Sequence, residues 1–253
     1  MGAGCTVPVA WKGNDAPVDH VASSTRPLSS DAFTWKQVDE GVELLDARVA
    51  ASGVGARLLL WRFAPSSTLT WSLATSTEAK TVGRWADRFP RAKLVMNAGY
   101  FHEDGLPSGW VFASGDSWGT RQFSPEKSGI ATLGERPALL SGRVNRKYIT
   151  SDAFQSFPWI IEKGKRVFLQ ETGQYARRTF LAQDVQGAWY VGIVPEETVT
   201  LYQLGLMVQE LPIEWDRVLN LDGGTSTGVV MRFREQETRV DSFAPIFYSI
   251  VAQ

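Results

Sequence analysis

Twice in this chain a short apolar run stops at a polar side chain and then at glycine: Leu94-Val95-Met96-Asn97-Ala98-Gly99 and Val218-Leu219-Asn220-Leu221-Asp222-Gly223-Gly224. Apolar runs this short, bounded by turn residues, read as buried strands. A strand end is rigid, so it fixes Asn97 or Asp222 in place. The glycines behind them let the backbone turn sharply, approach a ligand closely and present amides to an anion. Each run also has a plainer reading: Asp-Gly-Gly is a common turn, and Asn-Ala-Gly can simply end a strand.

The patterns around these runs are mostly those of strands. Residues 41–50 and 56–63 read as a hairpin about a turn at Gly53 and Gly55, and residues 179–182 and 188–194 as a strand pair around Gly187. Residues 78–89 carry Val82, Trp85, Ala86 and Phe89 at helical spacing, closed by Pro90. The clearest helix is 200–211, where Thr200 and Gln203 have capping-box spacing and Leu201, Leu204, Val208 and Leu211 share one face. Strands and helices do not alternate. The expected fold is therefore α+β, one mixed domain over 34–253 with a strand-rich core and few helices. Residues 1–33, rich in Pro, Ser and Asn-Asp, read as an irregular or tethering segment.

Composition narrows the chemistry. With Lys plus Arg at 26 and Asp plus Glu at 27, the chain lacks the basic field that nucleic acid or an anionic membrane surface requires. One cysteine, Cys5, and two histidines, His20 and His102, leave no intrachain disulfide and no zinc site built on several Cys or His. Any metal would be a hard cation on carboxylates and carbonyls, calcium or magnesium, with Asp222 a candidate ligand. No apolar run approaches the roughly 18 residues that span a bilayer. Ala3-Gly4-Cys5 matches the tail of a bacterial lipoprotein signal, which would make Cys5 a lipidation site and place the protein in the cell envelope or periplasm; a chance cysteine is the alternative.

Two further places carry possible chemistry. Arg177-Arg178-Thr179 precedes an apolar run, and a guanidinium fork suits a phosphate, although two surface arginines at a strand start would look the same. Residues 105–110, Gly-Leu-Pro-Ser-Gly-Trp, could wall a pocket in which Trp110 stacks on a sugar, while most of the 10 tryptophans must be core.

In order and content these blocks resemble the phosphodiester glycosidases, the family of N-acetylglucosamine-1-phosphodiester α-N-acetylglucosaminidase (the uncovering enzyme) and its bacterial relatives. The resemblance covers about residues 34–251. Its Asn-x-Gly-[Phe/Tyr]-Phe block is matched by Asn97 to Phe101, its Gly-x-Pro-x-Gly segment by Gly105 to Gly109, and its Gln-Ser-x-Pro stretch by Gln155 to Pro158 ahead of Gly164. Its Arg-Thr pair is matched by Arg178-Thr179, and its most specific block, Asn-Leu-Asp-Gly-Gly-x-Ser, by Asn220 to Ser226. The chain departs from the pattern at Thr225 and Ala98, where glycine is frequent, and both changes bear on pocket shape.

The resemblance implies a bacterial enzyme that hydrolyses a carbohydrate phosphodiester, releasing sugar and a phosphomonoester. Glycosidases ordinarily need two carboxylates. Phosphate is a good leaving group, so one carboxylate and a phosphate clamp would suffice. Asp222 is then expected at the anomeric carbon as nucleophile or base, with Arg178 on the phosphate and Asn97 hydrogen-bonded to sugar or phosphate. The Gly223 and Gly224 amides and the Thr225 and Ser226 hydroxyls would form an anion cradle, and Gly99 and Thr179 would complete the substrate-binding set. Glu103 and Asp104 are candidate second carboxylates, more simply read as solvated loop acids. A non-catalytic module that binds envelope glycans is the alternative. A phosphodiesterase that cuts the P–O bond lacks the His/Asp cluster of a two-metal site.

Overall fold

Leu58-Leu59-Leu60-Trp61 is buried at every position, which a strand achieves only when both faces of its sheet are covered. The computed structural model describes residues 33–51, 53–119, 129–234 and 236–253, and shows what covers them. An eight-stranded sheet runs, in spatial order, Lys36–Asp39, Val42–Ala51, Val54–Phe63, Trp189–Val199, Ala176–Asp184, Trp215–Asn220, Trp159–Glu162 and Lys165–Arg166. One five-stranded sheet runs Asp116–Trp118, Val111–Ala113, Ala153–Ser156, Gly129–Thr132 and Ala138–Ser141. The other runs Gln236–Val240, Val229–Phe233, Leu94–Asn97, Ile246–Ala252 and Trp71–Lys80. Every pairing is antiparallel.

Period-2 alternation sorts the side chains into layers. Leu59, Trp61, Phe63, Leu181 and Leu219 leave the large sheet on the side of the small sheets and meet Leu94, Met96, Phe154, Met231 and Ile250 in the main core. On the opposite face Leu58, Leu60, Phe180 and Val218 pack under Leu204, Met207 and Val208 of the helix Leu201–Gln209. A second helix, Val82–Arg88, covers Val95, Val230 and Val251 on the outer face of a small sheet. The result is strand-rich, as expected, with the two α-helices among the described residues as outer covers. No helix among the described residues is long and apolar enough to cross a membrane. The expected tether, with Cys5 and His20, lies outside the described residues.

The Leu201–Gln209 helix begins as read: Thr200 accepts from the Gln203 amide while the Gln203 side chain accepts from the Thr200 amide. The other helix starts later than its spacing suggested. Residues 78–80 finish the Trp71–Lys80 strand, and Thr81 is the N-cap. Ser242 and Asp241 take the Val82 and Gly83 amides, so the start is set by residues distant in sequence. The first hairpin turns at Gly53, in the left-handed region at φ 76°, whereas Gly55 lies within the Val54–Phe63 strand.

Gly192 stands opposite Phe180 in the register of two central strands, and a Cβ there would fall inside the Phe180 ring. Phe180 is fully buried and cannot swing out. Gly192→Ala should therefore destabilise the fold by about 2 kcal/mol through overpacking. Urea unfolding measures this, and a loss under about 0.5 kcal/mol would show that the ring has room to shift.

Candidate active site

The two strand ends picked out in the sequence meet. Asn97 is 0% exposed. Its Nδ2 donates to the Asp222 carbonyl (2.7 Å) and, at 3.5 Å, to the Ala98 carbonyl. Its Oδ1 accepts from the Gly228 amide and the Thr179 hydroxyl, both at 3.1 Å. The Asp222 amide in turn donates to the Ala98 carbonyl at 3.1 Å. One buried carboxamide thus staples the loop after Asp222 to the neighbouring sheet.

Arg177 holds the same loop from the other side. Its guanidinium donates to the carbonyls of Gly224 (3.1 Å), Thr227 (2.9 Å) and Pro195 (3.3 Å), and it stacks 3.8 Å from the Phe243 ring centroid. Gly223 passes so close that a Cβ would stand 2.7 Å from the Arg177 carbonyl oxygen. Glycine is required there for close approach. The same logic applies where the blocks around residues 99, 109 and 155 converge. A Cβ on Gly99 or Gly109 would lie 3.0 or 2.9 Å from the Gln155 carbonyl oxygen.

The Asp222 carboxyl sits partly buried at this junction. Its Oδ1 accepts from the Gly223 amide at 2.9 Å. Burial pushes its pKa up to about 6, and the hydrogen bonds from Ser226 and Gly223 only partly oppose that rise. Tyr100 stands near enough to both Asp222 and Arg178 to feel their charges. Burial first, then the Asp222 charge, raises its pKa to about 12, so it remains protonated at neutral pH. The Tyr100 oxygen accepts from Asn220 Nδ2, and its ring packs 4.6 Å from that of Phe157. Tyr248 donates to the Tyr100 carbonyl at 2.8 Å and so holds that residue in place.

Arg178 is buried, with burial lowering its pKa. Its Nε donates to the Val199 carbonyl and its Nη2 to the Gln174 carbonyl. Among the described residues Nη1 has no partner, and no ion pair joins Arg178 to Asp222. The Gly224 and Thr225 amides are likewise unspent. The site therefore offers a carboxyl with its pKa raised to about 6, free amides on the same loop, and a phenol that feels both this carboxyl and the Arg178 cation, a set suited to acid–base work next to an anion.

The sequence profile of the phosphodiester glycosidases matches residues 90–248, more than half of the chain. The chain belongs to the phosphodiester glycosidase family. Two solved structures share its fold. The catalytic domain of zebrafish N-acetylglucosamine-1-phosphodiester alpha-N-acetylglucosaminidase, auto-inhibited by its pro-peptide, is 14% identical with a TM-score of 0.57, over 90% of this chain and 84% of that one. A hypothetical protein from Synechocystis is 15% identical with a TM-score of 0.58, over 91% of this chain and 64% of that one, so the present chain spans under two thirds of it. No curated protein matches the chain in sequence.

Within this phosphodiester glycosidase family member, the expected site residues divide. Asp222, Arg178, Gly224, Thr225 and Ser226 gather around one loop. Asn97 and Thr179, both 0% exposed and bonded to each other, cannot reach a ligand and instead position that loop. Gly99 is buried against Gln155 and Tyr248 rather than facing a substrate. The Gly223 amide is already taken by Asp222, which removes it from the anion cradle. Arg177 and Arg178 are both buried, not a surface pair.

Glu103 and Asp104 are exposed, and no hydrogen bond or ion pair among the described residues brings either to Asp222. Trp110 is core: 5% exposed, its Nε1 bonded to Ser117 and its ring stacked with Phe112. Tyr100 and Asn220 were missed as site residues, and Arg177, read with Arg178 as a phosphate fork, instead holds the loop. Tyr100 and Asn220 stood inside the matched blocks, which was the available signal. No group of three or more His, Cys, Asp or Glu able to hold a metal ion occurs among the described residues. Cavities of about 500, 540 and 510 Å³ lie elsewhere on the molecule, and Asp222 lines none of them.

Proposed function

We propose that this chain hydrolyses a sugar-1-phosphodiester at the glycosidic bond, releasing the sugar and a phosphomonoester. The observation that carries the reading is the Asp222 carboxyl, held at a strand end with its pKa raised to about 6, next to Tyr100, which feels the charges of both Asp222 and Arg178. Asp222 takes a proton from the water that attacks the anomeric carbon, or attacks that carbon itself; the anomer released tells these apart. The bond from the anomeric carbon to oxygen breaks, and its electron pair passes to the phosphate oxygen. Arg178 Nη1 with the Gly224 and Thr225 amides receives the growing negative charge. Tyr100, still protonated, donates a hydrogen bond to the departing group.

Hydrolysis in oxygen-18 water tests where the bond breaks. Label is expected in the sugar, and label in the phosphate would sink the proposal. In either role Asp222 must be ionised, so kcat/KM should rise about tenfold per pH unit below pH 6 and level off above it. A rate that instead fell above pH 6 would make Asp222 the proton donor. Binding of sugar-1-phosphodiesters without turnover would favour a glycan-binding module.

A further inference from the structure

Beside the residue 105–109 loop lies a cavity of about 540 Å³ that the chemistry at Asp222 leaves unused. Its wall includes Thr75, Thr77, Asp104, Leu106, Trp118 and Phe247. Tyr248 also lines it and bonds to the Tyr100 carbonyl, so this ring lies between the cavity and the Asp222 junction. The volume falls within the range of small-molecule sites.

The wall is built in place. Gly105 adopts φ 83°, and a Cβ there would stand 2.6 Å from the Phe247 ring, so the loop lies directly on that aromatic. Thr75 and Thr77, two apart on one strand, point to the same side. Both are exposed, and neither hydroxyl has a partner among the described residues. Trp118 ends its strand 36% exposed, and its indole N–H is likewise unspent among the described residues. Asp104 Oδ1 accepts from the Leu106 amide at 3.0 Å, which orients the carboxylate and leaves Oδ2 free.

We infer that this cavity is a second ligand site, and that it takes a neutral pyranose sugar. A sugar ring has an apolar C–H face for the exposed indole of Trp118 and Leu106. It also has a hydroxyl edge for a carboxylate and two threonines. The charge of the wall argues against a phosphate: among the described residues Asp104 is its only charged one, and an anion there would meet its repulsion with no described cation to offset it. The inference stands apart from the reaction proposed for Asp222, because binding is read without turnover.

Isothermal titration of the full chain with glucose, galactose, N-acetylglucosamine and their β-1,4-linked dimers tests it, with tryptophan fluorescence as a second readout. At least one of these sugars should bind and perturb the fluorescence. Trp118→Ala and Asp104→Asn should each weaken that binding tenfold or more. Both residues are exposed, and circular dichroism melts verify that the variants fold. Absence of binding by every sugar, or affinity unchanged in both variants, overturns the inference. Retained binding in the variants would seat the sugar elsewhere, whereas loss of turnover at Asp222 would leave this result untouched.

Discussion

Asp222→Asn should lower sugar release by at least about a thousandfold, equivalent to roughly 4 kcal/mol of transition-state stabilisation, while making the protein more stable at pH 8. The two effects share one cause. The folded-state pKa of Asp222, about 6, lies above its ordinary value of 3.8. The folded protein therefore binds this proton more tightly than the unfolded chain does. Stability falls as pH rises from about 4 to 6, and the loss persists at every higher pH. Two units correspond to at most about 3 kcal/mol, and partial exposure reduces the expected gain in the asparagine variant to about 1–2 kcal/mol.

Asparagine keeps the acceptor for the Gly223 amide and removes the charge together with one of the two acceptor oxygens. Thermal melts at pH 4 and pH 8, beside a sugar-release assay, measure both quantities. Undiminished turnover in the variant removes Asp222 from the chemistry. Lower stability at pH 8 would show that the hydrogen bonds to the carboxylate outweigh its burial.

Asn97→Ala should cost about 3–4 kcal/mol, one of the largest single losses available in this fold. The substitution leaves the Asp222 carbonyl, the Gly228 amide and the Thr179 hydroxyl facing a void that is shut off from bulk water. Each unpaired group costs about 1–3 kcal/mol, and relaxation recovers part of the sum. Activity should fall as well, because the loop that carries Asp222 loses its anchor. Urea unfolding combined with steady-state kinetics separates this positioning role from direct contact with substrate. A variant of full stability with only a raised KM would mean that Asn97 touches the ligand after all.

What could be read from the sequence was local. The capping box at Thr200 and the apolar face of its helix are written within 12 consecutive residues; they form as expected up to Gln209, where the helix ends, and Leu211 joins the same core from beyond it. The two strand ends were equally plain, since a buried run that stops at Asn97 or Asp222 needs only its own neighbours to be recognised. The work of Asn97 was not legible, because its partners lie 82 to 131 positions away. The start of the Val82–Arg88 helix was hidden for the same reason: Ser242 and Asp241 hold its first amides. Arg177 and Arg178 looked alike in sequence. Only the structure shows that Arg177 spends all three of its nitrogens on backbone carbonyls while Arg178 keeps Nη1 unspent among the described residues. Trp110 illustrates the opposite error, an aromatic in a promising loop that is absorbed by the core.

The contacts of Asn97 have a consequence for how the molecule comes into being. The three residues its side chain reaches across the fold, Thr179, Asp222 and Gly228, are separated from it by 82, 125 and 131 positions. Closing such long stretches of chain costs entropy before any contact repays it. Among the described residues no hairpin or helix along the route contains a partial version of the staple. Local elements can therefore accumulate while the chain is still catalytically blank, and a nascent chain has no site at all until ribosomal synthesis has passed Gly228.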